Sequence, residues 1–306
     1  MPTVEPVLPP LTAGRLAGDW TVDPVLLLLL AASAAAYLAG VRALSRRGDR
    51  WPVARTAGWL GGLAVVAVAT MSGLGTYDTT LFSVHMVQHL LLNMVAPLPL
   101  ALAAPVTLAL RTLPPRARTV LLAVLHSRVA QVITSPFVAL PLFVGSMYGL
   151  YLTSLYGESL RHPWLHDLVH VHFLATGFLF AAVIVGVDPI PGRPSHVGRI
   201  FTLLSAIPFH AFLGVALLSG TTVLGDGWYE AHPRTWGSSP LSDQHTGAGV
   251  MWAAGELINL VLLLAAVAQW MGADEREAKR KDRQADRDED AALEAYNEYL
   301  AGLSKS

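Results

Sequence analysis

The sequence contains no cysteine, so a disulfide scaffold is excluded. Charge is the second shortage. Asp, Glu, Lys and Arg make up 14% of the 306 residues, against roughly 25% in a soluble domain. Seventeen of these 43 residues lie in the last 34 positions, which leaves 26 for residues 1–272, too few to solvate a globular surface of that size. The net charge of −1 offers nothing to attract nucleic acid. GxGxxG, GxxxxGK and HExxH patterns are missing, and no nucleophile–base–orienter set is recognisable, so no enzyme is expected. What the chain has in abundance is apolar: 53% of residues are hydrophobic, which excludes a disordered chain. The fold class this predicts is an all-α integral membrane protein.

An apolar run of about 20 residues crosses a bilayer as a helix. Seven such runs are present, at 24–44, 56–73, 81–104, 136–155, 165–187, 199–222 and 246–271. The first opens at Pro24 and has no Lys or Arg before it except Arg15, so it reads as a retained span and not a cleaved signal. Lys and Arg set the orientation. Eighteen fall after spans one, three and five and in the tail, and three (Arg15, Arg161 and Arg234) on the other side. The N-terminus is therefore expected outside and the C-terminus in the cytoplasm. Residues 1–23 form an extracytoplasmic segment on this reading, 24–271 a seven-helix transmembrane domain and 272–306 a charged cytoplasmic tail. Residues 112–133 read as an amphipathic surface helix. Pro97, Pro99 and Pro105 predict a kinked or broken inner end to the third span. Leu293, Tyr296 and Leu300 recur at helical spacing in the tail, and Trp20, Trp51, Trp164 and Trp270 stand at span ends as interfacial anchors.

A polar or ionisable side chain inside a span is expensive to bury and marks function. Here these are mostly histidines, gathered at the outer ends of the spans. In span three, His85 and His89 are four apart on one helical face. They lie ~6 and ~12 Å in from the outer end, and two imidazoles at that spacing can chelate one metal ion. Gln88 and Asn93 lie near that face. Span five carries His162, His166 and His170 as a stripe, with Asp167 placed to accept the second ring hydrogen of His170 and His172 on roughly the opposite face. His210 of span six lies ~16 Å in, beside Pro208. Span seven brings Asp243 and His245 at its start, Met251 two turns in, and Glu256 near mid-membrane, where a carboxylate wants a cation, a proton or a partner. Span four supplies Met147 and Tyr148. Imidazole suits copper, zinc, iron and nickel, and thioether favours copper(I). A His-rich, Met-containing, cysteine-free set facing an oxidising compartment fits copper, held by two to four of His85, His89, His170, His210 and Met251. Asp167 and Glu256 are the supporting carboxylates.

Four segments in order carry a family pattern: HMVQHLLLNMVAPLPLAL, HDLVHVHFLATGFLF followed by VGVDPIPGR, PFHAFLGVALL, and DQHTGAGVMWAAGE. They resemble the CtaG family of polytopic cytochrome c oxidase assembly factors, the Gram-positive group associated with caa-type oxidases. The resemblance covers about residues 25–271. It implies a seven-helix protein of the plasma membrane that assists oxidase assembly by handling copper, with oxidase subunits and the lipid bilayer as its partners. The family's motif histidines fall on His85, His89, His170, His172 and His210, and its acidic and amide positions on Asp188, Gln244 and Glu256. The resemblance thus adds His172 to the candidate ligands and Gln244 to the supporting groups. His245 departs from the family pattern. Asp188 sits at the cytoplasmic end, where an Asp-Pro turn explains it. An unrelated single-span copper chaperone shares the family's label but needs a cysteine motif, which this chain lacks. Two other functions compete. A haem-binding electron-transfer protein would use histidines on facing helices, and a metal transporter would use Glu256 and His210 as a relay. The scarcity of polar groups in the inner halves weighs against a through-path. A structural scaffold for oxidase subunits is a fourth reading.

Overall fold

The computed structural model describes residues 8–303, and all their regular structure is helical. A single turn, α1 (Ala13–Gly18), precedes the long helices α2 (Pro24–Arg46) and α3 (Val53–Met71). A short α4 (Gly73–Tyr77) leads into α5 (Phe82–Leu90), a π-helical turn (Leu91–Val95), α6 (Pro97–Leu102) and α7 (Pro105–Thr112). Next come α8 (Pro115–Leu125), α9 (Arg128–Ile133), α10 (Pro136–Tyr151), α11 (Leu155–Arg161) and α12 (Pro163–Val185). The last three are α13 (His196–Ser219), α14 (Trp228–Ala231) and α15 (Pro240–Leu303). Seven of these helices open on a proline. Its fixed φ suits the first helical turn, and its missing N–H is unneeded there.

Among the described residues, six helical stretches are long and apolar enough to cross a membrane, or seven if α10 and α11 form one span bent by 71°. The expected fourth span, 136–155, is therefore not one straight helix. At 16 residues, α10 reaches ~24 Å, short of a ~30 Å hydrocarbon core. The chain leaves the axis at Leu152, and α11 runs across the histidine end of the bundle.

The break expected at the prolines of span three is present and takes a defined form. Pro97 has no N–H for an i→i−4 bond. The backbone widens just before it, with Ala96 N–H donating to the Leu91 carbonyl at 2.8 Å, an i→i−5 bond. The Asn93 carbonyl is turned against Gly177 of α12, where a Cβ would lie 2.1 Å from the oxygen. Only a glycine lets the two helices close there. Ala104 then takes a left-handed conformation (φ 53°) before Pro105 restarts the helix. Asp188 caps this new start from a distance. Its carboxylate accepts from Thr107 N–H at 2.7 Å and Val106 N–H at 3.0 Å, an anion at a helix N-terminus.

Three further expectations are refined. Residues 112–133 form two helices, α8 and α9, with no buried residue in either. Trp51 is a core residue and not an anchor: it is buried, and its indole N–H donates to the Tyr37 hydroxyl at 3.0 Å. Trp20, Trp164 and Trp270 are exposed. Span seven and the tail are one helix, since α15 runs unbroken for 64 residues. Leu293 and Tyr296 are exposed on it, while the Leu300 side chain lies outside the described residues.

Two apolar clusters stack along the bundle. The one at the histidine end includes Phe82, Met86, Tyr151, Tyr156, Phe173 and Met251. The one towards the arginine-rich loops is built on Phe143, Phe180, Ile184 and Leu203, with the Phe143 and Phe180 rings stacked at 4.3 Å.

Candidate metal centre

α5 presents His85 and His89 on one face, their rings 4.0 Å apart and both buried. Neither ring nitrogen of His85 has a hydrogen-bond partner. His89 Nδ1 pairs with the Tyr151 hydroxyl at 2.5 Å, and its Nε2 has none. The helix is anchored at its N-terminus by Asp243 of α15, which accepts from the Ser83 hydroxyl at 2.6 Å and from Ser83 N–H at 3.3 Å. Asp243 is thus a cap for the helix that carries the two histidines.

α12 faces this pair with His166 and His170, 4.5 Å apart ring to ring. The His85 and His166 rings lie 5.7 Å apart, and those of His89 and His170 6.4 Å apart. The group that unites them is Asp78, buried in the turn after α4. Gln88 donates through Nε2 to Asp78 at 2.9 Å and to the Ala69 carbonyl at 3.0 Å. Its Oε1 is left to accept from His170 Nε2 at 2.9 Å. Asp78 also accepts from His166 Nε2 at 3.0 Å, and His170 Nε2 lies 3.9 Å from the same oxygen. In this arrangement both imidazoles carry a proton on Nε2, that of His166 given to the Asp78 carboxylate and that of His170 to the Gln88 amide oxygen. Ligand atoms of Asp78, His166 and His170 lie within 4.8 Å of one another. A cation there would bind through the Nε2 lone pairs, each neutral ring then carrying its proton on Nδ1.

The sequence-predicted residues divide into groups. His85, His89 and His170 come together, and His166 joins them. Asp167 does not orient His170. It is exposed one residue round the helix from His166, and Asp78 and Gln88 hold the two rings instead. His172 is on the far face of α12, exposed and paired with Ser146 at 2.7 Å, because α12 is a regular helix and two residues rotate it by ~200°. Gln244 grips the loop after α13, accepting from Leu224 N–H at 2.8 Å and donating to the Thr222 carbonyl at 3.2 Å. His245 bonds the Gly220 carbonyl at 2.9 Å in the same way. His210, Met251 and Glu256 form a second neighbourhood, with His210 Nδ1 3.8 Å from Glu256. Sequence reasoning missed Asp78, although a signal was present: it is the sole Asp, Glu, Lys or Arg between Arg55 and Arg111.

A groove of about 450 Å³ opens onto Asp78, His166 and His170 from the side between α2 and α12. Asp23 and Asp167 stand in its wall beside Leu26, Leu29 and Leu174. From above, α11 lays Tyr156 over His85 with ring centroids 4.9 Å apart. The Tyr156 and Tyr229 hydroxyls meet at 2.6 Å. Burial pushes the Tyr229 phenol above its ordinary pKa, so this lid stays neutral.

Residues 35–273 match the family model described as cytochrome c oxidase caa3 assembly factor, Caa3_CtaG. Uncharacterized proteins of Mycobacterium bovis and Mycobacterium tuberculosis are each 42% identical over 304 residues, covering 97% of this chain and 46% of theirs. One of Mycobacterium leprae is 38% identical over 277 residues, covering 88% of this chain and 42% of its own. The chain thus spans a little under half the length of these relatives. No solved structure matches it.

Proposed function

Because the chain belongs to the Caa3_CtaG family of cytochrome c oxidase caa3 assembly factors, we propose that it assists oxidase assembly by holding copper for an oxidase subunit. The observation that carries this reading is the convergence of Asp78, His166 and His170 beside two buried imidazoles with unpartnered nitrogens. Each orphaned buried nitrogen costs about 1–3 kcal/mol, a penalty that coordination would relieve. Imidazole with carboxylate is a donor set for a borderline divalent ion such as copper(II). His166 and His170 bind in this reading, and Asp78 supplies an oxygen and charge compensation. Gln88 orients His170. Tyr156 and Tyr229 shield one side, and the lateral groove leaves the other open for exchange. Asp23 and Asp167 draw cations to its mouth. The 18-to-3 distribution of Lys and Arg supports a reading in which this end of the bundle faces outward.

The packing weighs against the competing functions. A haem needs open space between its axial histidines, and His89 is instead packed against Phe173 at 4.4 Å and Tyr151 at 5.8 Å. A transport path would have to cross the stacked Phe143–Phe180 pair and the fully buried Leu203.

The test counts copper(II) per purified chain, beside the copper content of oxidase assembled in cells that depend on this chain. Joint Asp78→Asn and His170→Gln substitution should lower both. Unchanged copper with an unchanged oxidase would overturn the proposal. Equal or tighter retention of zinc would reassign the metal.

A further inference from the structure

A second cluster lies deeper in the bundle. Four of the seven methionines, Met86, Met94, Met147 and Met251, line one small void together with His89 and His210. They come from α5, the π-helical turn, α10, α13 and α15, so five separate elements converge on it. The void holds about 10 Å³, room for one water-sized sphere and nothing larger. His210 is 4% exposed, and neither of its ring nitrogens has a hydrogen-bond partner. Its ring is seated against bare backbone: at Gly255 of α15 a Cβ would lie 2.1 Å from His210 Cε1. Tyr148 of α10 pins the same turn of α13 by donating to the Phe209 carbonyl at 2.7 Å. His89 borders both clusters, since its ring also faces His170.

Methionine commonly fills apolar gaps. Packing alone does not explain two imidazoles with unpartnered nitrogens against the same void. We infer that this void is a second metal site, distinct from the Asp78 centre and selective for a soft monovalent ion, copper(I) or its analogue silver(I). Thioether and imidazole without any thiolate or coordinating carboxylate form a soft donor set. Glu256, near His210, offers charge compensation from one side. The inference rests on the reading above only in taking copper as the cargo. The two sites differ in hardness: oxygen and nitrogen at the groove, sulfur and nitrogen within.

X-ray absorption at the copper edge of the detergent-purified full chain, loaded with copper(I) under reducing conditions, decides it. The parent should show sulfur neighbours around copper. Joint Met147→Leu and Met251→Leu substitution conserves volume, so it should keep the fold. It should remove the sulfur signal and about one equivalent of copper(I). Met71→Leu with Met271→Leu, away from the void, should remove neither. Asp78→Asn with His170→Gln should keep the sulfur signal, and a parallel sample loaded with copper(II) under oxidising conditions should show that this variant has lost copper(II). A parent without sulfur neighbours, or a Met147/Met251 variant that retains the sulfur signal and its copper(I), overturns the inference. Retained copper(II) in the Asp78/His170 variant overturns only the earlier reading.

Discussion

His85 buries both ring nitrogens without a partner, and an apolar side chain of similar shape would carry no such penalty. His85→Leu should therefore raise the melting temperature of the metal-free protein, by ~2–4 °C per kcal/mol recovered. Scanning calorimetry of the metal-free variant beside the metal-free parent would show it. Gln88 holds the His170 ring, so if the proposed site binds copper(II), Gln88→Met should weaken it about 10–100-fold by titration calorimetry, with little change in fold. His85, His89 and His170 were legible in the sequence because helical periodicity puts them on definite faces. Asp78 was not. It lies ten residues before Gln88 and pairs with it only because the turn after α4 folds back. Asp167, three residues before His170, was placed by spacing alone; it is exposed, and Gln88 on the facing helix takes the His170 ring instead.

Close approach between helices is set by a few glycines. Gly177→Ala would force a methyl onto the Asn93 carbonyl and should destabilise by about 1–3 kcal/mol. Gly249→Ala, whose nearest neighbour is 4.0 Å away, should be tolerated, and urea or thermal unfolding in detergent compares the two. The prolines announced that span three would break. They did not announce the π-helical turn, because its form depends on α12 accepting the displaced carbonyl at Gly177. Hydropathy likewise marked residues 136–155 as one span. It did not show the bend at Leu152, since apolar residues continue through it and the direction of α11 is set by packing over His85.

For the whole molecule, the absence of cysteine makes orientation directly measurable. Ser238→Cys at the histidine end should react with an impermeant maleimide in intact cells. Thr119→Cys among the arginine-rich helices should react only after permeabilisation. The reverse pattern would invert the topology and put the groove in the cytoplasm. The all-helical membrane class was plain from composition. The charge boundary at 272, read as the start of the tail, leaves no mark on the backbone of α15. That continuity has a geometric consequence. Glu256 and Tyr296 belong to one unbroken rod, ~60 Å apart and only ~40° out of phase. A single residue inserted between 272 and 285 would turn everything beyond it by ~100° relative to the histidine-lined core. The helix therefore works as a protractor as well as a ruler, fixing the bearing at which its far end meets whatever it touches.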